Sequence, residues 1–182
     1  MALSAFKTHG FDVVVTRCTN NYGPYQFPEK FLPLFITNAM EDKNLPLYGE
    51  GLQVRSWLHV SDHCSALIAI LEKGRSGEVY NIGPLDEAER SNKEVAYEIL
   101  KQLDKPESLI KKVKDRLAHD FRYAVSIEKL KKETSWKPEV KFDDGLTETI
   151  KWYKDNKDWW GKIKSGDYQK YYENHYSKKL AS

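Results

Sequence analysis

Val13-Val14-Val15-Thr16-Arg17-Cys18-Thr19-Asn20-Asn21-Tyr22-Gly23-Pro24, with Pro28-Glu29-Lys30 close behind, is the stretch around which this 182-residue chain is organised. Three consecutive β-branched residues running into Asn, Gly and Pro predict a buried strand that breaks into a turn. In an open α/β sheet, the loop at the carboxyl end of such a strand is where ligands bind. Asn20 and Asn21 offer donors and acceptors without charge, which suits a sugar or a nucleotide. The same residues also make a plain turn, and composition leaves both readings open.

Upstream, Ala2 to His9 followed by Gly10 reads as a helix tail with its stop signal. Downstream, residues 29–42 carry Phe31, Leu32, Leu34, Phe35, Asn38 and Ala39 at helical spacing, with Pro33 near the start. Leu45 to Gly51 is extended chain entering a tight Gly turn. Gln53 to Val60 alternates, with Gln53, Arg55 and Trp57 on one face and Val54, Ser56 and Leu58 on the other. Ser61 or Asp62 is expected to cap a helix reaching Glu72, with Ala66, Leu67, Ile70 and Leu71 buried. Glu78 to Ile82 is a further strand. Strand, long crossover and strand fit a parallel pair.

From Ser91 the character changes. Ser91 or Asn92 caps a helix to Leu103, and Ile110 to Lys114 is a short strand. Tyr123-Ala124-Val125 is extended, Ser126 caps a helix to Thr134, and Asp143 or Asp144 caps one bearing Leu146, Ile150 and Tyr153. The expected division is residues 1–90, the last strands and helices of an α/β sheet, and 91–182, a smaller domain with C-terminal helices.

Forty per cent hydrophobic and 31% charged residues describe a globular chain long enough for a core. No apolar run is long enough to span a membrane, so no membrane partner is expected. The N-terminus has no secretory pattern, and two cysteines in apolar contexts, Cys18 and Cys64, suit a reduced, cytoplasmic protein. No zinc spacing is present. A net charge of +2 gives no reason to expect a nucleic-acid partner. The Tyr, Trp and Lys of the last thirty residues read as an amphipathic helix packed by its rings rather than a base-stacking platform.

A phosphate-bearing ligand requires a cation for its phosphates. Arg55 is the candidate, since its planar fork grips two oxygens at once; a solvated strand arginine is the plain alternative. A dinucleotide cofactor would require a Gly-rich strand-to-helix turn, and no G-x-G-x-x-G or G-x-x-G-x-x-G occurs.

The run Val14-Val15-Thr16-Arg17-Cys18-Thr19-Asn20-Asn21-Tyr22-Gly23-Pro24-Tyr25-Gln26-Phe27-Pro28-Glu29-Lys30 closely resembles the dTDP-glucose 4,6-dehydratases, a branch of the extended short-chain dehydrogenase/reductase family. Arg-x-x-Asn-x-Tyr-Gly-Pro is similar to the wider group of nucleotide-sugar epimerases, decarboxylases and dehydratases, and Pro-Glu-Lys narrows it to the dehydratases. Gln53 to His63 is similar to the segment bearing that family's phosphate-binding arginine. The resemblance covers the later half of such an enzyme. It implies an α/β fold, the C-terminal part of a Rossmann-like fold with a small α+β substrate-binding domain.

The resemblance also implies roles. Asn20 would contact the substrate and Asn21 the nicotinamide cofactor, NAD. Lys30 and Phe31 would line the substrate site, with Phe31 standing where the family usually has Leu. Pro46, Leu47 and Tyr48 would hold the thymine, Arg55 and Asn92 the diphosphate, and Asp115, Arg116 and His119 would close over the nucleotide. The family has Pro-Gly where this chain has Leu117-Ala118, and loss of that Gly removes easy access to positive φ. The implied reaction moves a hydride from sugar C4 to NAD, eliminates water across C5 and C6, and returns the hydride to C6. The family's Tyr-x-x-x-Lys base has two matches, Tyr97 with Lys101 and Tyr153 with Lys157, both read as accidental. The implied partners are a dTDP-sugar and a complementing N-terminal half, or a second copy through an exposed strand edge. Rival readings are a UDP-sugar epimerase or decarboxylase fragment and a non-catalytic nucleotide-sugar-binding module.

Overall fold

The computed structural model describes residues 1–84, 89–166, 170 and 176. The chain forms two compact units, each assembled from three separated stretches: Met1–Tyr22, Arg55–Glu89 and Tyr123–Phe142 in the first, Gly23–Val54, Arg90–Arg122 and the chain from Asp143 onward in the second. Both are mixed α/β with parallel strand pairs.

The first unit begins with α1 (Ala2–His9), closed by Gly10 at φ 67 with its N–H on the Phe6 carbonyl. Only glycine takes that left-handed corner without strain. β1 (Val15–Cys18) pairs parallel with β5 (Val79–Ile82), Val15 opposite Val79 and Cys18 opposite Ile82. β2 (Asn20–Tyr22) pairs parallel with β4 (Val54–His59), setting Asn20 beside Trp57 and Asn21 beside Leu58. α3 (Val60–Lys73) returns over the sheet, and α5 (Glu128–Thr134) packs on α3 and β5. Leu58, Ala66, Ile70, Tyr80, Ile82, Ile127, Leu130 and Trp136 form the core.

Four expectations change in this unit. Asn20 to Tyr22, read as part of the turn after the first strand, is itself strand β2. Val13, Val14 and Val15 are half-buried, because β1 has a ladder partner on one side only among the described residues. Leu71, read as a core position, is 80% exposed, and Ile68 on the same helix is also exposed. The α3 cap is His59, whose ring nitrogen accepts from the Ser61 N–H. Asp62 faces inward instead.

In the second unit, α2 (Phe31–Met40) is buried from Leu32 to Ala39, on every face rather than along a stripe. Its polar groups are satisfied: Thr37 Oγ1 donates to the Pro33 carbonyl, and Asn38 Nδ2 to the Asn44 carbonyl. β3 (Leu45–Tyr48) pairs parallel with β7 (Ile110–Val113). Pro46 is tolerated there because β3 is bonded along one side only among the described residues. After β6 (Glu89–Ser91), α4 (Asn92–Leu103) opens on a Ser91–Glu94 capping box. β8 (Arg122–Tyr123) is a two-residue strand. α6 (Phe142–Asp155) and α7 (Lys157–Lys164) follow; Leu146, Ile150, Tyr153 and Trp160 are buried.

Trp152 and Trp159 lie 5.2 Å apart by ring centroid and both face Tyr25, so these aromatics pack on one another. The rest of the Tyr- and Lys-rich tail falls mostly outside the described residues. No helix among the described residues is long and apolar enough to cross a membrane.

Candidate functional site

The second unit gathers a polar cluster around Asp115. Gly49, at φ +54 in the turn after β3, brings its backbone against this carboxylate; a Cβ there would meet Asp115 Oδ2 at 3.2 Å. Gln53 Nε2 donates to Asp115 Oδ2 at 2.7 Å, and the Arg116 N–H donates to Oδ1 at 2.8 Å. His119 Nδ1 lies 2.7 Å from Asp115 Oδ1, and Arg116 Nη2 lies 2.7 Å from His119 Nε2. A carboxylate only accepts and a guanidinium only donates, so this ring carries its hydrogen on Nδ1. The His119 hydrogen bond, with those from Arg116 and Gln53, holds the Asp115 carboxyl below its ordinary pKa. Arg116 lies over the Tyr48 ring, 5.4 Å from its centroid, and His119 meets the same ring edge-on.

Tyr48, Asp115, Arg116 and His119 are therefore brought together. Pro46 and Leu47 are buried in β3 beside them in sequence. Asn92 is the first residue of α4, and its N–H donates to the Gln53 carbonyl at 3.0 Å. At the Leu117-Ala118 departure, Ala118 takes φ 54, a corner that glycine makes freely. The methyl group makes that corner strained. Ala118→Gly should raise stability by about 1 kcal/mol, a melting shift of about 2–4 °C upward. An unchanged melt would show that this corner carries no strain.

Lys30 sits at the N-cap of α2 with its ammonium on Glu29 Oε1 at 3.1 Å. Phe31 starts that helix and packs on Phe35 at 4.3 Å between ring centroids. Both belong to a different element from the residues of the Asp115 cluster.

The first unit carries the other candidates. Asn20 and Asn21 lie on β2, and Arg55 lies half-buried on β4, ahead of the buried residues 56–59 of that strand. Asn21 Nδ2 donates to His63 Nδ1 at 2.8 Å. Burial pushes the His63 pKa down, which keeps Nδ1 free to accept. In the sequence alone His63 reads as a surface or capping group, and its spacing from Asn21 gives no signal. Thr19 gives none either: its Oγ1 is buried just past the carboxyl end of β1, with no hydrogen-bond partner among the described residues.

The depressed His63 pKa has a signed consequence. Above the ordinary histidine pKa, about 6.5, folded and unfolded chains are both neutral at this residue and stability is complete. As pH falls below that value the unfolded chain takes up a proton that the folded chain resists, and stability drops until the folded pKa is passed. Thermal melts between pH 7.5 and 5.5 should show this loss, and His63→Gln, which still accepts from Asn21 but does not titrate, should reduce it. Equal pH dependence in both proteins would remove His63 as its source.

The Tyr-x-x-x-Lys matches carry no base. Tyr153 is fully buried, donates to the Gln26 carbonyl, and burial raises its pKa. Lys157 lies on the next helix. Lys101 pairs with Glu98 at 3.6 Å rather than with Tyr97.

NAD fits this chain poorly. The β4–α3 junction is closed by His59 on the Ser61 N–H, and the β6–α4 junction by the Ser91–Glu94 box. Neither is a bare glycine cradle for a pyrophosphate. Asn21 and the orphaned Thr19 hydroxyl fit only a small polar contact at the end of β1 and β2. Among the described residues no group of three His, Cys, Asp or Glu could hold a metal.

Comparison with known proteins agrees with the fold. Residues 1–83 match the model of the NAD dependent epimerase/dehydratase family. The chain is 52% identical over 167 residues to a dTDP-glucose 4,6-dehydratase of Streptomyces niveus, covering 92% of this chain and 49% of that protein. It is similar to the crystal structure of dTDP-glucose 4,6-dehydratase from Bacillus anthracis in complex with NAD, with TM-score 0.84, 53% identity, and coverage of 89% and 51%. DesIV, the dTDP-glucose 4,6-dehydratase of Streptomyces venezuelae, gives TM-score 0.86 and 45% identity over 89% of this chain and 50% of that one. The chain spans about half the length of these relatives. With the parallel α/β pairs and the Asn-x-Tyr-Gly-Pro stretch, these likenesses relate the chain to the dTDP-glucose 4,6-dehydratases over about half of their length, and its residues 1–83 to the NAD dependent epimerase/dehydratase family.

Proposed function

We propose that this chain is the dTDP-sugar-binding portion of an NAD-dependent dTDP-glucose 4,6-dehydratase, whose product is dTDP-4-keto-6-deoxyglucose. The observation that carries the reading is the Asp115 cluster: Arg116 and His119 are fixed on one carboxylate and against the Tyr48 ring. That arrangement presents an aromatic face beside a cation, which suits a pyrimidine base and its nucleotide. Arg55 takes the diphosphate, Asn92 assists it, and Asn20, Lys30 and Phe31 contact the sugar. The thymine rests on Pro46, Leu47 and Tyr48. These roles follow the resemblance residue by residue.

The chain's own residues bind and orient; they do not supply the hydride or proton steps. No Gly-rich turn for NAD is present in the sequence, and both Tyr-x-x-x-Lys matches are otherwise engaged. The partner that completes the reaction is a complementing half with its own strand for the side of β1 that has no ladder partner among the described residues. Phe11, Ile68 and Leu71, all exposed in the first unit, supply apolar surface for it. A non-catalytic binding module is the second reading, favoured by the same missing base.

Titration calorimetry with dTDP and dTDP-glucose tests the binding. Incubation with NAD and dTDP-glucose, with and without the complementing half of a related dehydratase, tests the rest. The expected result is binding by the chain alone and 4-keto product only after complementation, with a raised melting temperature. Absence of nucleotide binding overturns the reading. Turnover by the chain alone would return Tyr97 or Tyr153 to consideration, and binding with no 4-keto product even after the complementing half is added would favour the module.

A further inference from the structure

The family resemblance assigns Gln53 no role, yet this residue touches two parts of the nucleotide site. Its side chain is nine-tenths buried, at 7% exposure. Its backbone carbonyl accepts from the Asn92 N–H at 3.0 Å, which ties the start of α4 to this residue. Its side-chain amide donates to Asp115 Oδ2 at 2.7 Å. Because a carboxylate cannot donate, the NH2 end of the amide must face Asp115. The carbonyl end, Oε1, is then left buried, and it has no hydrogen-bond partner among the described residues. A buried acceptor without a partner is costly and uncommon in folded proteins. This one lies on the side chain that holds the Asp115–His119–Arg116 network.

We infer that Gln53 is a nucleotide-contacting residue: its NH2 positions Asp115, and its Oε1 accepts a hydrogen bond from a neutral donor on the bound nucleotide. The inference rests on the dTDP-sugar reading above. A thymidine nucleotide offers two such donors, the thymine N3–H and the deoxyribose 3′-hydroxyl. Charged phosphate oxygens only accept and are excluded as the partner. Gln53 thus serves two purposes with one amide, holding the loop from Asp115 to His119 and completing its own hydrogen bonding when the nucleotide arrives.

The test is calorimetric titration of the full chain with dTDP, N3-methyl-dTDP and 3′-deoxy-dTDP, in the unsubstituted protein and in Gln53→Met and Gln53→Glu. In the unsubstituted protein one of the two altered ligands should bind about tenfold more weakly than dTDP, the scale of one hydrogen bond. Gln53→Met should bind dTDP about tenfold more weakly and be indifferent to loss of that same donor. Gln53→Glu keeps an acceptor but sets a second carboxylate against Asp115. Its dTDP affinity should fall as pH rises from 5 to 8, while the unsubstituted protein changes little. If neither altered ligand binds more weakly to the unsubstituted protein, the inference is overturned without reference to any variant. Equal losses on ligand alteration in the unsubstituted protein and Gln53→Met would leave Gln53 a structural role alone. If dTDP does not bind the unsubstituted chain, the functional reading falls, and the inference with it.

Discussion

Asp62→Ala should cost about 3 kcal/mol of folding stability, a larger loss than any surface charge in this chain would give. Asp62 is 4% exposed on the first turn of α3, and its carboxylate is the acceptor for a distant loop. The Glu139 N–H reaches both oxygens at 3.2 Å, and the Val140 N–H reaches Oδ2 at 3.0 Å. The same helical turn is held a second time: Trp136 Nε1 donates to Ser65 Oγ at 2.9 Å, and Ser65 Oγ donates to the Asp62 carbonyl at 3.0 Å. Removing the carboxylate strands two backbone donors and frees the segment that carries Trp136 into the core. Asp62→Asn keeps one oxygen to accept the Val140 N–H and should lose about 1 kcal/mol. Chemical denaturation of the three proteins reads the order directly. An Asp62→Ala protein as stable as the parent would show that the 139–140 segment is held by packing alone.

Arg55→Ala should weaken binding of dTDP by about 1.5–3 kcal/mol, roughly tenfold to a hundredfold, the range for a hydrogen bond to a charged group. Arg55→Lys should recover only part, since an ammonium supplies a point charge but no planar fork. Salt should weaken the unsubstituted protein's binding more than that of Arg55→Ala, because the lost interaction is electrostatic. Calorimetric titration of the three forms at two ionic strengths checks both points. Equal affinities would take Arg55 out of the nucleotide site and leave it a strand residue of β4.

Much of the local structure was legible because its causes act over a few residues. Gly10 stops α1 through its own φ, and the Ser91–Glu94 box closes α4 from three residues away. Strand, long helical crossover and strand predict a parallel pair, and the structure supplies it as β1 with β5. The Asn-x-Tyr-Gly-Pro stretch carried the family resemblance without any coordinates. Where local reading failed, something distant had intervened. Asp62 reads as a cap by its place at a helix start, but His59 takes that role and the carboxylate turns to Glu139 and Val140. Leu71 matches the helical period of a core residue, yet it is 80% exposed.

The sequence alone therefore determined the α/β class, the main helices and strands, the family resemblance and the residue types proposed for the nucleotide site. Tertiary structure decided which side chains meet. Asn21 meets His63 across 42 residues, Gln53 meets Asp115 across 62, and Asp62 meets Val140 across 78. Propensity and periodicity describe a backbone's preferences within a turn or a strand, and carry no information about such pairs. Those contacts exist because parallel pairing and helix packing bring remote segments to one place, where each buried polar group must find a partner or remain unsatisfied.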